Sequence, residues 1–483
     1  MKINRKALTN SIMSVLFTLS TPINAFEKPK TMDDMWKIIQ AQQQEIETMK
    51  AQMGSAKPSD QPPVADAASG SVKKLERKTD VLSQEVEKLR TNLAIPEEAK
   101  YKSAYGLGPA ASKIYAAGKG LSIGGYGEGR YQAIVGDKGS NKNSADLERM
   151  VLYAGYKFTD NILFNSELEF EHATTGEGSE QKGEVSVEFA SLDFFIDPLA
   201  NVRAGLVLMP MGFINQIHEP PFFFGNNRPE VEQVIIPSTW REFGVGLFGQ
   251  ITPELTYTTY LVNGLNAEGF SSDGITEGRG GGSNAKAEDF AYVGRMDYAP
   301  QALPGVSIGG SAYVGNSGQG QTFAGKNPDA LVQLYEGHAQ WKYRGLEWRA
   351  LGSWGHVNNA DLLSANKEAI FRSDPANAGK TFTDTVGSES YGWYTEVGYD
   401  VLPLLVPDTA QYLAPFFRYE QFDTIASAPV GFLDDGNKDR WIYQFGLQYK
   451  PIPNVVIKAD YRNISAKKGS VPDDFNLGFG FIF

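Results

Sequence analysis

From residue 121 to its end, this chain alternates apolar and polar residues with a period of two. Leu121, Ile123 and Gly125 alternate with Ser122, Gly124 and Tyr126, and Glu128, Arg130 and Gln132 continue the polar side. Leu163, Asn165, Glu167, Glu169 and Glu171 oppose Ile162, Phe164, Leu168 and Phe170. Glu336, His338, Gln340 and Lys342 oppose Tyr335, Ala339, Trp341 and Tyr343, and Val456, Lys458, Asp460 and Arg462 oppose Val455, Ile457, Ala459 and Tyr461. Successive side chains of a strand point to opposite faces, so the pattern predicts strands with one greasy and one charged face. About sixteen such segments fit, an even number as a closed barrel needs. Around Ala190 the phase is ambiguous, which allows a bulge there.

The connections narrow the class. Thr159-Asp160-Asn161, Thr252-Pro253-Glu254, Arg344-Gly345 and Pro451-Ile452-Pro453 are tight, whereas Gly264 to Glu288 and Asn358 to Gly387 are long and polar. Short turns at one end and long loops at the other are the asymmetry of a bacterial transmembrane barrel. Tyr156, Phe158, Tyr298, Trp341, Tyr343, Trp348, Tyr399 and Tyr449 lie near tight turns on the apolar face, as an interfacial girdle would. The fold class expected is therefore an all-β transmembrane barrel, greasy outside and wet inside, preceded by an α-helical coiled-coil segment.

Residues 1–25 read as a signal peptide. Lys2, Arg5 and Lys6 precede a mostly apolar stretch from Leu8 to Leu19, and Ile23-Asn24-Ala25 is a small-residue end with cleavage after Ala25. Two heptad runs follow. In residues 26–53, Met32, Ile39, Ile46 and Met53 fall at a, with Met35, Gln42 and Met49 at d. A Pro/Ala/Ser linker, 54–71, breaks the helix at Pro58, Pro62 and Pro63. In residues 72–94, Val72, Thr79, Val86 and Leu93 take a, and Leu75, Leu82 and Leu89 take d. Amphipathic helices packed on another element are the alternative to self-association, and the heptads leave the number of chains open. Residues 95–120 read as a second linker, and 121–483 as the barrel.

Enzyme chemistry finds little support. The chain has no Cys and only four His, which removes thiol chemistry and makes a His-rich metal site unexpected; no metal and no cofactor is expected. A formal charge of −12 argues against a nucleic-acid partner. Gly124-Gly125-Tyr126-Gly127 and Gly278 to Gly282 fail the dinucleotide pattern, and no phosphate loop is present. Glu167 and Glu169 read as wall charges rather than acid/base catalysts, and His338 as a solvated lumen histidine.

The third long loop, 212–239, is unusual. Glu219-Pro220-Pro221-Phe222-Phe223-Phe224 precedes Arg228-Pro229-Glu230-Val231-Glu232. Those apolar residues are poorly placed in water, so the loop is expected to fold inward and narrow the lumen; a packed external loop is the alternative.

Several segments carry a family resemblance. LERMVLYAGYKFTD (Leu147 to Asp160), NSELEFEHA (Asn165 to Ala173), Gly183 to Phe195, NVRAGLVLMPMGFINQIHEPPFFF (Asn201 to Phe224), IPSTWREFGVG (Ile236 to Gly246), Leu413 to Glu420 and the terminal Phe483 resemble the phosphate-selective porin O/P family. The resemblance implies homotrimeric, sixteen-stranded, water-filled channels in the outer membrane of a Gram-negative bacterium, often anion-preferring and constricted by the third loop. The heptads before the barrel resemble those of dicarboxylate-channel-type relatives. Phosphate selectivity is not carried over, because basic residues here are interleaved with Glu128, Glu167, Glu169, Glu336, Glu396 and Asp460.

The reading is a porin, not an enzyme, giving passive, charge-selective diffusion of small hydrophilic solutes, with anions or dicarboxylates as candidates. An adhesin or structural barrel acting through its coiled coil is the alternative. Arg130, Arg149, Arg418, Arg440, Lys458 and Arg462 are expected to form a basic arc in the lumen, diluted by Glu128, Glu420 and Asp460. Glu219, Glu230 and Glu232 of the third loop would face that arc across a wet gap and set up a transverse field. The expected partners are outer-membrane lipid and lipopolysaccharide, two further copies of the chain, and a barrel-assembly machinery that reads Phe483.

Overall fold

The computed structural model describes residues 102–135, 142–175, 183–434 and 436–483, all within one compact unit, Thr91–Phe483. The expected signal peptide, both heptad runs and the linker between them lie outside the described residues.

Sixteen strands form the wall: β1 (Gly120–Val135), β2 (Ser144–Lys157), β3 (Ile162–Glu171), β4 (Val185–Asp197), β5 (Ala200–Leu208), β6 (Arg241–Thr252), β7 (Leu255–Asn263), β8 (Phe290–Tyr298), β9 (Val306–Gly315), β10 (Val332–Tyr343), β11 (Leu346–Val357), β12 (Glu389–Tyr399), β13 (Tyr412–Ser427), β14 (Arg440–Ile452), β15 (Val455–Ala466) and β16 (Asp473–Ile482). Every strand pairs with its sequence neighbours, and β1 closes on β16. Closure leaves no edge whose backbone groups go unpaired. Short helices lie outside the wall sequence: α1 (Lys113–Ala116), α2 (Ala360–Ser373) and α3 (Leu402–Leu405). Among the described residues no helix is long and apolar enough to cross a membrane.

The period-two faces fall as the sequence predicts. Leu121, Ile123, Phe243, Val245, Tyr335, Trp341, Ile457 and Leu477 are exposed on the outside, while Glu128, Glu167, His338, Lys458 and Asp460 turn inward. The closure seam shows how sequence sets the outer surface. Gly127 and Gly129 of β1 face Phe481 and Phe479 of β16, and those rings lie where a Cβ would stand. Small residues on one strand thus let the aromatics of its neighbour lie flat across the seam. Phe483 continues the row over Gly125, exchanging backbone hydrogen bonds of 2.9 and 3.1 Å with it.

Two features depart from the expectation. The inside is not uniformly wet. Tyr260, Val262, Val293, Tyr313, Val332 and Leu334 turn inward and bury Met209, Met211, Val231, Ile235, Ile236 and Trp240 of the connection between β5 and β6, which holds the third loop. The loop carries so much apolar surface that the wall opposite it has to be apolar too.

The second departure is at the other end of the barrel. Residues 104–117, expected to be linker, enter the lumen at the short-turn end, with Leu107, Ala110, Ala111 and Ile114 buried. Arg203 donates to the Tyr105 carbonyl at 3.0 Å, Asn165 to the Ala111 carbonyl at 2.9 Å, and Tyr115 donates to Asp193 at 2.8 Å. Low sequence complexity around Gly106, Gly108 and Ala110 hid this plug, because close backbone approach needs small residues rather than a hydrophobic pattern.

Candidate functional site

The lumen site is built from inward positions of the strands and from the segment between β5 and β6. On the β11–β16 side, cations of the wall hold the backbone of that segment. Arg349 donates to the Phe222 carbonyl at 2.9 Å; Arg418 donates to the carbonyls of Phe224 at 2.7 Å and Asn227 at 3.1 Å; Lys458 donates to the Gly225 carbonyl at 2.8 Å. Lys458 also lies 3.7 Å from the Phe223 ring centroid, and Phe224 stacks on Phe416 at 5.2 Å. Gly225 has φ +74° and sits where a side chain would run into Gln444, so both conformation and space call for glycine.

Arg349, Arg418 and the neighbouring Arg462 also carry wall counter-ions. Arg418 pairs with Glu396 at 2.7 Å, which Arg349 also reaches at 3.1 Å. Arg462 pairs with Asp474 at 2.5 Å and with Glu230 of the loop at 2.9 Å. Asp460 accepts from Asn226, Gln444 and Asn476, and Glu420 accepts from the Val231 N–H at 3.2 Å.

This geometry corrects the transverse-field expectation. Glu230 touches the basic arc instead of facing it across a gap. Glu232 is buried, accepting from Tyr394 at 2.6 Å and from the Ile214 N–H at 2.8 Å. Burial pushes its carboxyl above the usual range, and the two donors only partly offset this. Glu219 points to the short-turn end and accepts from the Ala110 N–H at 2.9 Å; burial pushes it up to about 8. Arg440 stands apart at the long-loop end, bonded to the Asn437 carbonyl at 3.0 Å.

The β1–β4 side is different. Arg149 is shared by Glu128 at 2.9 Å and Glu169 at 3.0 Å, and Arg130 pairs with Glu148 at 2.8 Å and donates to Asn227. Glu167 faces His218 of the loop at 3.1 Å, and Glu188 lies 3.6 Å from the same ring nitrogen. Glu188 arrives there by a bulge: Glu167 pairs with Phe189 and Leu168 with Val187, leaving Glu188 as the extra residue. Both Glu188 and Phe189 are therefore turned inward and buried. The ambiguous phase around Ala190 was the signal for it. Arg228 reaches Ser238 at 3.0 Å, with its other guanidinium nitrogens unpartnered.

His338, expected to be solvated, is buried between Glu336 at 2.9 Å and Asp297 at 2.8 Å, with Arg295 at 3.0 Å. Sequence reasoning gave no role to Asp193, Arg203, Glu242 or Asp297, whose partners come from distant segments. A cavity of about 550 Å³ at the short-turn end is lined by Tyr105, Gln216, Phe248, Tyr257, Arg295 and Asp297.

The architecture has a solved counterpart. OmpF of Salmonella typhi, solved with daunomycin, superposes with TM-score 0.51 at 12% identity, covering 77% of this chain and 99% of that one. The outer membrane channel DcaP of Acinetobacter baumannii gives TM-score 0.49 at 12% identity, covering 75% and 97%. At such identity the OmpF likeness shows the fold. No protein-family model matches the chain, so the O/P resemblance stays a resemblance. A protein of Aquifex aeolicus (strain VF5), described only as uncharacterized, is 37% identical over 400 residues, 82% of this chain and 87% of that protein. That identity and coverage show descent and not merely shared architecture, and this chain belongs to the same family as the Aquifex aeolicus protein.

Proposed function

We propose that the protein is an outer-membrane porin, a homotrimer that passes small hydrophilic solutes by diffusion. The observation that carries this reading is the uneven exposure of the inward charges. Arg130 and Glu148 keep 22% and 16% of their side chains in solvent, and Glu230 keeps 28%, while Arg418 and Glu396 keep 0% and 1%. Water therefore reaches the charges of β1 and β2 and Glu230 beside Arg462 of β15, and a solute passing there meets both signs. The third loop is the constriction, and the segment 104–117 narrows the other mouth. Phe483 serves as the assembly signal, residues 1–25 as the export signal, and the heptads as a periplasmic coiled coil.

Single-channel recording in planar bilayers with a KCl gradient tests the reading. Stepwise conductance is expected, with a reversal potential that shrinks as salt rises and the Debye length falls to about 3 Å at 1 M. Folded protein that inserts and conducts nothing would reject it. The filled lumen favours a second reading, a structural barrel acting through the N-terminal heptads, and that silent result would support it.

A further inference from the structure

We propose that Glu167, Glu188 and His218 bind one divalent transition-metal cation of the Zn²⁺ class, which staples the third loop to strands β3 and β4. One ligand atom from each of the three side chains lies within 4.8 Å of the others. The His218 Nε2 is 3.1 Å from Glu167 Oε1 and 3.6 Å from Glu188 Oε2. Two ligands bound at about 2.1 Å to one ion stand about 3.0–3.4 Å apart, so these spacings are close to those of a shared ion.

The hydrogen bonding points the same way. The His218 Nδ1 lies 3.3 Å from the Asn215 carbonyl, which can only accept, so Nδ1 carries a proton. In the neutral ring Nε2 then presents a lone pair to two carboxylates that also offer only lone pairs. A cation between them converts that repulsion into coordination, with the Asn215 carbonyl orienting the ring. Glu167 Oε2 and Glu188 Oε2 are both buried without a hydrogen-bond partner. Among the described residues, no lysine or arginine lies within ion-pairing distance of Glu167. The Tyr126 hydroxyl is likewise buried without a partner, and its ring packs edge-on to His218 at 5.8 Å.

The donor set selects the ion. Mixed imidazole and carboxylate ligands suit Zn²⁺ and its neighbours better than Ca²⁺ or Mg²⁺, which take oxygen alone. Arg241 reaches Glu188 Oε1 at 3.4 Å and leaves Oε2 to the ion. The competing arrangement is a proton shared among the same three groups, which needs no metal.

The test uses the full-length protein folded in detergent, stripped with EDTA, loaded with Zn²⁺ and washed. Elemental analysis should find about one Zn²⁺ per chain, falling more than about tenfold in Glu188→Gln and His218→Asn. Heat-modifiable migration checks that the variants fold. Co²⁺ loading of the unaltered protein reads the same site without any variant, through visible absorption displaced from the aqua ion. Folded protein that keeps no Zn²⁺ and leaves the Co²⁺ spectrum unchanged would overturn the proposal, as would folded variants that keep as much Zn²⁺ as the parent. Metal content is read whether or not the barrel conducts, so this result is independent of the channel reading.

Discussion

The two sides of the lumen use charge in different ways. On the β11–β16 side, Arg349, Arg418, Lys458 and Arg462 each hold the third loop and, apart from Lys458, pair with a wall carboxylate. On the β1–β4 side, Arg149 is divided between two glutamates, and Glu167 and Glu188 keep buried oxygens without partners. The first side resembles a protein interior, where buried charge is tolerated because it is paired and hydrogen-bonded. The second side still has charge in contact with water or available to a ligand. A basic arc in the sequence is therefore not by itself a selectivity filter, since Arg418 and Lys458 here clamp loop backbone and Arg462 holds the loop's Glu230.

The largest effect should come from breaking the clamp. Arg418→Met leaves Glu396 buried with only Arg349, and removing one partner of a buried pair costs about 3–5 kcal/mol. The expected outcome is a marked fall in the urea midpoint of barrels folded in lipid vesicles. An unchanged midpoint would mean that the clamp contributes little.

Next comes the plug. A chain beginning at Gly118 loses the buried Leu107, Ala110, Ala111 and Ile114, while one beginning at Ser103 keeps them. The shorter chain should conduct more in planar bilayers, because the cavity at the short-turn end opens. Equal conductance would place the limiting constriction entirely at the third loop.

Charge reversal on the open side should have a moderate effect. Arg130→Glu should move the reversal potential toward cation preference, and the shift should shrink at high salt. Arg440→Glu, at the long-loop end and away from the ion pairs of the third loop, should move it less. The reverse order would relocate the charge that matters.

Most of this fold was legible in the sequence, and the reason is physical. A wall with an apolar outer face and a charged inner face must alternate, so all sixteen segments showed themselves. The fifth strand ends at Leu208, because Met209 and Met211 leave the sheet to enter the loop. The site was less legible. Glu167, Glu169, Arg418 and Arg462 were singled out because they share a face, but pairing depends on where a distant loop passes. His218 gave no local signal, and its partner Glu188 depends on a one-residue bulge. The plug was missed because small residues look like a linker until something is seen to pack on them.

The smallest effect lies among the long loops. Asp384 accepts from the Ser272 N–H at 2.8 Å and pairs with Lys367 at 3.1 Å. Partial burial works against its charge, but those two partners outweigh it and hold the carboxyl below the usual range. A carboxyl held low in the folded state contributes stability above its unfolded pKa, and that stability is lost as pH falls through the folded value. Asp384→Asn should therefore loosen this loop contact slightly at neutral pH and hardly at all in strong acid. Proteolytic nicking rates of the loops across that range would show it.

The central claim is that water and solute pass beside β1 and β2, where Arg130, Glu148 and the loop's Glu230 keep solvent contact, and not along β12–β14, where Arg418 and Glu396 are buried. The chain has no native cysteine, so single cysteines can be read cleanly. Glu148→Cys and Gln448→Cys both place a thiol inward, the first in partial contact with solvent and the second buried. A negatively charged methanethiosulfonate added during single-channel recording should change conductance and reversal potential of Glu148→Cys and leave Gln448→Cys untouched. Rapid modification of Gln448→Cys with an inert Glu148→Cys would contradict the account.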